Sequence, residues 1–151
     1  MAKTTGQISS LFIPVTGRNL LLPNAAVAEI IEYVPPTPIK GAPAWHLGHV
    51  QWRGVQLPVV SYEIANGLES HGTAARARIA VINTIGPQHS KLPFFAIVTQ
   101  GIPRLVKVQE EEISEQDLPT GAADSMHVRV SGEDATIPDI AHLESLLAES
   151  L

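Results

Sequence analysis

The chain contains no cysteine among its 151 residues. That excludes disulfides, thiolate nucleophiles and every cysteine-type zinc site, and it fits a reducing compartment. Charge is also scarce. Asp, Glu, Lys and Arg make up 17% of the chain, against about 25% in an average globular protein. The balance is acidic, with a formal net charge of −5, and the densest basic cluster is Arg76-Ala-Arg78. Neither feature suits a nucleic-acid binder, which needs a basic footprint. The longest apolar runs fall far short of the ~20 residues of a membrane span. The polar start Met1–Gln7 lacks the apolar region of a secretory signal. No Gly-x-Gly-x-x-Gly or Walker sequence occurs, so nothing points to a bound nucleotide. These absences together predict a cytoplasmic protein with neither nucleic-acid binding nor direct membrane insertion.

Hydrophobic residues are plentiful at 44%, and with so few charges an exposed apolar patch, hence a partner, is expected. They fall in short runs between glycine and proline punctuation. Ser10–Val15 and Asn19–Pro23 read as a hairpin around Thr16-Gly17-Arg18. Asn24–Val34 opens with a possible helical turn and ends as a strand over 29–34. Pro35, Pro36, Pro38 and Pro43 form a stiff extended connection. Two β-type runs then meet at Arg53-Gly54, the signature of a tight hairpin with the arginine at its tip, aimed outward. Ser61–Asn66 has space for about one helical turn, stopped by Gly67. Further strands are expected at 77–83, 93–99 (central, from its near-continuous apolar run), 104–108, 126–130 and 135–138. The acidic stretch 109–121 reads as a solvated loop or a single turn. Asp139–Glu149 is the one longer helix, capped by Asp139, with Ile140, Leu143, Leu146 and Leu147 as its apolar stripe. This density of short strands indicates a barrel or sandwich. The surface loop 68–76 is a plausible midpoint between two lobes, with no exact sequence repeat across it.

Candidate catalytic groups are weak. His46 and His49 are three apart, a spacing that would share a helix face and hold a metal, but the flanking Gly48 and Pro43 favour a strand, where they would point to opposite faces. A small metal-dependent or ligand-binding domain built on His46 and His49 stays open as an alternative. Ser61 lacks the Gly-x-Ser-x-Gly context of a nucleophile elbow and reads as a cap. Glu29 and Glu32, again three apart on a strand, read as two solvated charges rather than an acid–base pair. Arg53 stands out instead, bracketed by Gly48 and Gly54 and flanked by Trp45 and Trp52. Arginine beside tryptophan is the combination enriched where proteins recognise one another.

The run Gly48-His-Val-Gln-Trp-Arg-Gly-Val-Gln-Leu-Pro-Val-Val60 resembles the signature of CheW-like domains. Supporting matches follow in order: Leu22-Pro23, Val27-Ala-Glu29-Ile30, Pro43, Phe95–Val98 and Ser131–Ile140. The resemblance covers 9–149 and implies one mainly β domain of two SH3-like five-stranded β-barrel lobes sharing a core, with a C-terminal α-helix. It implies a non-enzymatic adaptor without cofactor, coupling the cytoplasmic tip of a chemoreceptor (a methyl-accepting protein) to the regulatory domain of a CheA-type histidine kinase. Val27, Glu29 and Arg53 occupy the family's receptor-binding positions, with Gly48 and Trp52 beside them. Gln51-Trp52 replaces the usual Asn-Leu before the arginine, and Ser61 and Thr99 replace two usual aspartates. Gln100-Gly-Ile-Pro-Arg104 looks most like the ChpC branch, which serves type IV pili and twitching motility.

Overall fold

The structure is a computed structural model, and it describes residues 7–69, 74–85 and 92–150. Eleven strands and two α-helices follow one another: β1 (Gln7–Val15), β2 (Arg18–Pro23), β3 (Val27–Glu32), β4 (His46–Trp52), β5 (Val55–Val60), α1 (Tyr62–Ala65), β6 (Arg78–Asn83), β7 (Phe94–Thr99), β8 (Arg104–Gln109), β9 (Ile113–Gln116), β10 (Asp124–Val130), β11 (Glu133–Pro138) and α2 (Ile140–Ser150). Short 3-10 turns cover Asn24–Ala26 and Glu110–Glu112. The expected elements are present with shifted ends. The strand expected at 29–34 starts at Val27, and the acidic stretch holds β9, an unforeseen strand. Part of the loop expected at 68–76 lies outside the described residues, as does most of the connection between β6 and β7.

The strands form two sheets, ordered β8-β1-β2-β11-β10-β9 and β3-β6-β7-β5-β4. The first therefore has six strands, not five, the addition being β9 at its edge. Each sheet repeats one plan. An edge strand pairs with a hairpin, whose second strand runs parallel to the second strand of another hairpin: Thr136 opposite Leu20 in one sheet, Val59 opposite Ala96 in the other. The edge strands are exchanged. β3 follows the β1–β2 hairpin but pairs with β6, and β8 follows β6–β7 but pairs with β1. Each sheet therefore takes strands from both chain halves, 7–67 and 77–150, so the lobes do not divide at 68–76. The chain crosses between sheets at Asn24–Ala26 and at 100–103.

Packing explains the near-continuous apolar runs. In β6, Ile79 and Val81 face the interior of the second lobe, and Ala80 and Ile82 face a core shared by both. In β7, Ala96 and Val98 likewise oppose Phe95 and Ile97. In the first lobe Phe12 and Leu21 point inward, and Leu11, Ile13, Leu20 and Leu22 join the shared core. A strand has a side-chain period of two, so burial on both faces requires an apolar residue at nearly every position. Helix α2 seals the shared core with Ile140, Leu143 and Leu147. The Asp139 carboxylate caps it, accepting from the His142 N–H at 3.0 Å. Ser61 caps α1 in the same way, accepting from the Ile64 N–H at 3.2 Å. No helix among the described residues is long and apolar enough to cross a membrane.

Candidate functional site

The central hairpin turns at Arg53 and Gly54, with φ of 48° and 76°. Two positive values make the turn that matches the right-handed twist of the flanking strands. Gly54 adopts this freely, whereas for an arginine the left-handed region costs roughly 1–2 kcal/mol. The tip of the β10–β11 hairpin has the same geometry at Ser131 and Gly132, so the conformation is a requirement of the turn. What differs is the side chain displayed.

Arg53 does not simply point away from the protein. Its Nε donates to Glu29 Oε1 at 3.0 Å and its Nη2 lies 3.0 Å from the same oxygen. The Trp52 indole Nε1 donates to that oxygen too, at 2.8 Å. The guanidinium carbon lies 5.5 Å from the centre of the Trp52 ring, within cation–π reach. Trp52 in turn meets Phe94 edge-on, with ring centres 5.0 Å apart. The Arg53 side chain nevertheless stays 69% exposed and Glu29 36%, so the group is accessible. The Trp52 hydrogen bond first, and then Arg53, hold the Glu29 carboxyl below its usual range.

Glu29 lies on β3 and Trp52 on β4, the opposite edges of the five-stranded sheet. Their hydrogen bond therefore joins the sheet's two edges and closes it toward a barrel. A backbone bridge between Thr37 and His49 fastens the same seam, with bonds of 2.8 and 3.0 Å. Gly48 belongs to this second fastening rather than to the Arg53 cluster. It is buried, at φ 136°, and a Cβ there would stand 2.1 Å from the Thr37 carbonyl oxygen. The glycine lets the proline-rich connection press onto β4. Val27 starts β3 and is partly buried against the shared core. At the β10–β11 hairpin tip of the other lobe, Ser131 donates to Glu112 at 2.7 Å.

Of the expected residues, then, Glu29, Trp52 and Arg53 come together, Val27 lies on the same strand as Glu29, and Gly48 acts through the backbone of Thr37. Glu29 is not the solvated charge that its spacing from Glu32 suggested, because the curled sheet brings it a partner from the far edge. The histidine alternative gains no support. His46 is buried, with Nδ1 2.7 Å from Ser150 Oγ, and burial holds its pKa below the ordinary value. No group of three or more potential metal ligands occurs among the described residues.

One polar cluster is invisible in the sequence. The Asp124 side chain is 1% exposed and pairs with Arg18 at 3.0 Å. It also accepts from the Tyr62 hydroxyl, from Asn66 Nδ2 at 3.2 Å and from the Gly121 N–H at 2.9 Å. Burial alone would raise its pKa, but these donors and the Arg18 charge outweigh that and hold it below the usual value. Burial and the neighbouring carboxylate push the Tyr62 hydroxyl far up. Tyr62 opens α1 and Asn66 caps its C-terminal end, Arg18 comes from β2 and Asp124 from β10, so the cluster pins one lobe to the other. A cavity of about 570 Å³ opens beside it, with Arg18, Asn19, His127 and Thr136 in its wall; none of its lining residues belongs to the Arg53 cluster.

A family model described as CheW-like domain matches residues 9–147. The chain is also similar to a solved structure titled as the scaffolding protein TtCheW from Thermoanaerobacter tengcongensis. The TM-score is 0.73 at 16% identity, over 87% of this chain and 88% of the other. No curated protein sequence matches.

Proposed function

The chain belongs to the CheW-like domain family of chemotaxis scaffolds, which are not enzymes, and on that premise we propose that it is a cytoplasmic adaptor coupling a chemoreceptor to a CheA-type histidine kinase. One observation carries the reading: an accessible Glu29–Trp52–Arg53 cluster at the seam of the second lobe. In this proposal Val27, Glu29, Trp52 and Arg53 face the receptor tip. Gly48 serves them indirectly by seating Thr37 against β4. Residues 9–149 work as one unit, since each lobe borrows strands from both halves of the chain. The kinase regulatory domain docks at the barrel ends. The segment Gln100–Arg104, tied to β1 by the Gln100 N–H to Pro14 carbonyl bond of 2.8 Å, supports placement in the ChpC branch of type IV pilus systems.

Calorimetric titration with the cognate receptor tip fragment and with the kinase regulatory domain tests the adaptor role. Binding to at least one is expected, and binding to neither overturns it. For the branch, deletion of the gene is expected to abolish twitching; loss of swimming with twitching intact would reject it.

A further inference from the structure

The partner surface is not two independent charges. Glu29 Oε1 accepts from two nitrogens, Trp52 Nε1 and Arg53 Nε, and lies 3.0 Å from Arg53 Nη2, and among the described residues Oε2 accepts none. The Trp52 ring lies beneath the guanidinium and rests on Phe94. Phenylalanine or leucine at position 52 would preserve much of this packing but supply no N–H. The indole is therefore the one neutral donor that fixes the carboxylate.

We propose that Trp52 is the positioning residue of this surface. It holds Glu29 by one oxygen and floors Arg53, so that the pair meets its partner preassembled, with Glu29 Oε2 and the outer guanidinium N–H groups side by side. This deepens the adaptor reading and rests on it for the identity of the partner. The assembled unit is neutral overall and offers one acceptor beside donors. It fits an uncharged group that both gives and takes hydrogen bonds, such as the carboxamide of an Asn or Gln on the receptor tip. A lone charge of either sign would be attracted by one member and repelled by the other. A surface already ordered also loses less side-chain entropy on binding.

The first test uses the free protein, so it stands even if the adaptor reading fails. Hydrogen exchange is measured by nitrogen-15 NMR at the Trp52 indole N–H and the Arg53 Nε–H, with Trp52→Phe assigning the former. Both are expected to be protected in the wild type, and Glu29→Ala to speed both by roughly tenfold or more, the loss of about one charge-assisted hydrogen bond. Trp52→Phe is expected to speed Arg53 Nε–H exchange by a similar factor. An unchanged Arg53 signal in Trp52→Phe overturns the proposal, because Glu29 alone would then hold the arginine. Arg53→Ala must leave the indole protected, which checks that the indole–carboxylate bond stands without the guanidinium; an exposed indole in that variant also overturns it.

The second test uses the receptor tip fragment. Trp52→Phe is expected to weaken binding roughly tenfold. Wild-type affinity is expected to change less than about threefold between roughly 50 and 500 mM salt, because a neutral contact is little screened. A loss of about tenfold or more over that range contradicts the neutral-partner inference. Absence of any wild-type binding would count against the adaptor reading and leave the exchange result to decide the role of Trp52.

Discussion

At the scale of single residues, the two carboxylates that matter are held in opposite ways. Asp124 is enclosed by donors from β2, from α1 with its capping Asn66, and from the Gly121 turn, and Glu29 sits at the surface with one oxygen committed. Breaking a buried pair typically costs about 3–5 kcal/mol, so Asp124→Asn is expected to destabilise the protein by about 3 kcal/mol in urea unfolding near neutral pH. The pH dependence follows from the lowered folded-state pKa of Asp124. Its stabilisation is complete above the ordinary Asp value of about 3.9 and is lost as pH falls through the lower folded value. The gap between wild type and Asp124→Asn should therefore close only below about pH 4. A gap that stays constant down to acid unfolding would show that the carboxylate charge is not what the network stabilises. Residue chemistry alone reveals neither the Asp124 network nor the partner of Glu29; only the family resemblance groups Glu29 with Arg53 and Trp52. Arg18 and Asp124 lie 106 positions apart, and Glu29 and Trp52 lie 23 apart. Nothing local to an aspartate or a tyrosine tells that a fold will bury it beside a complement.

Local signals were informative at the scale of elements. The Arg53-Gly54 turn, the Ser61 and Asp139 caps and the central position of β7 all followed from short-range chemistry: positive φ at a tight turn, a hydroxyl or carboxylate before a helix, a strand apolar on both faces. Strand β9 did not, because Ser114 and Glu115 are exposed and only Ile113 contributes to a core. Its strand character comes from pairing with β10, which composition does not reveal. Two glycines distinguish turn from contact. Gly54 has φ 76° and open space around its missing Cβ, so Gly54→Ala should cost about 1–2 kcal/mol from backbone strain alone. Gly48→Ala adds a collision with the Thr37 carbonyl, and should cost at least about 3 kcal/mol. It should also open the 33–45 connection to proteases. Equal melting temperatures for the two variants would contradict this account of the seam.

At the scale of the whole molecule, the exchanged edge strands and the shared core make the lobes interdependent. Leu143 and Leu147 are fully buried between them. Leu143→Ala is expected to cost about 2–5 kcal/mol and to lower amide protection in both sheets together, in a single unfolding transition. Loss confined to one sheet would mean that the lobes unfold separately. Such coupling suits a scaffold, since a partner on the second lobe then meets a surface braced by the first. The central claim is that this partner meets the Glu29–Trp52–Arg53 seam. It is tested most directly by adding the receptor tip fragment to isotope-labelled protein and mapping which amides shift. The account predicts changes concentrated at 27–30, 51–55 and Phe94. Changes clustered instead around the first-lobe cavity, at Arg18, His127 and Thr136, with the seam unmoved, would contradict it.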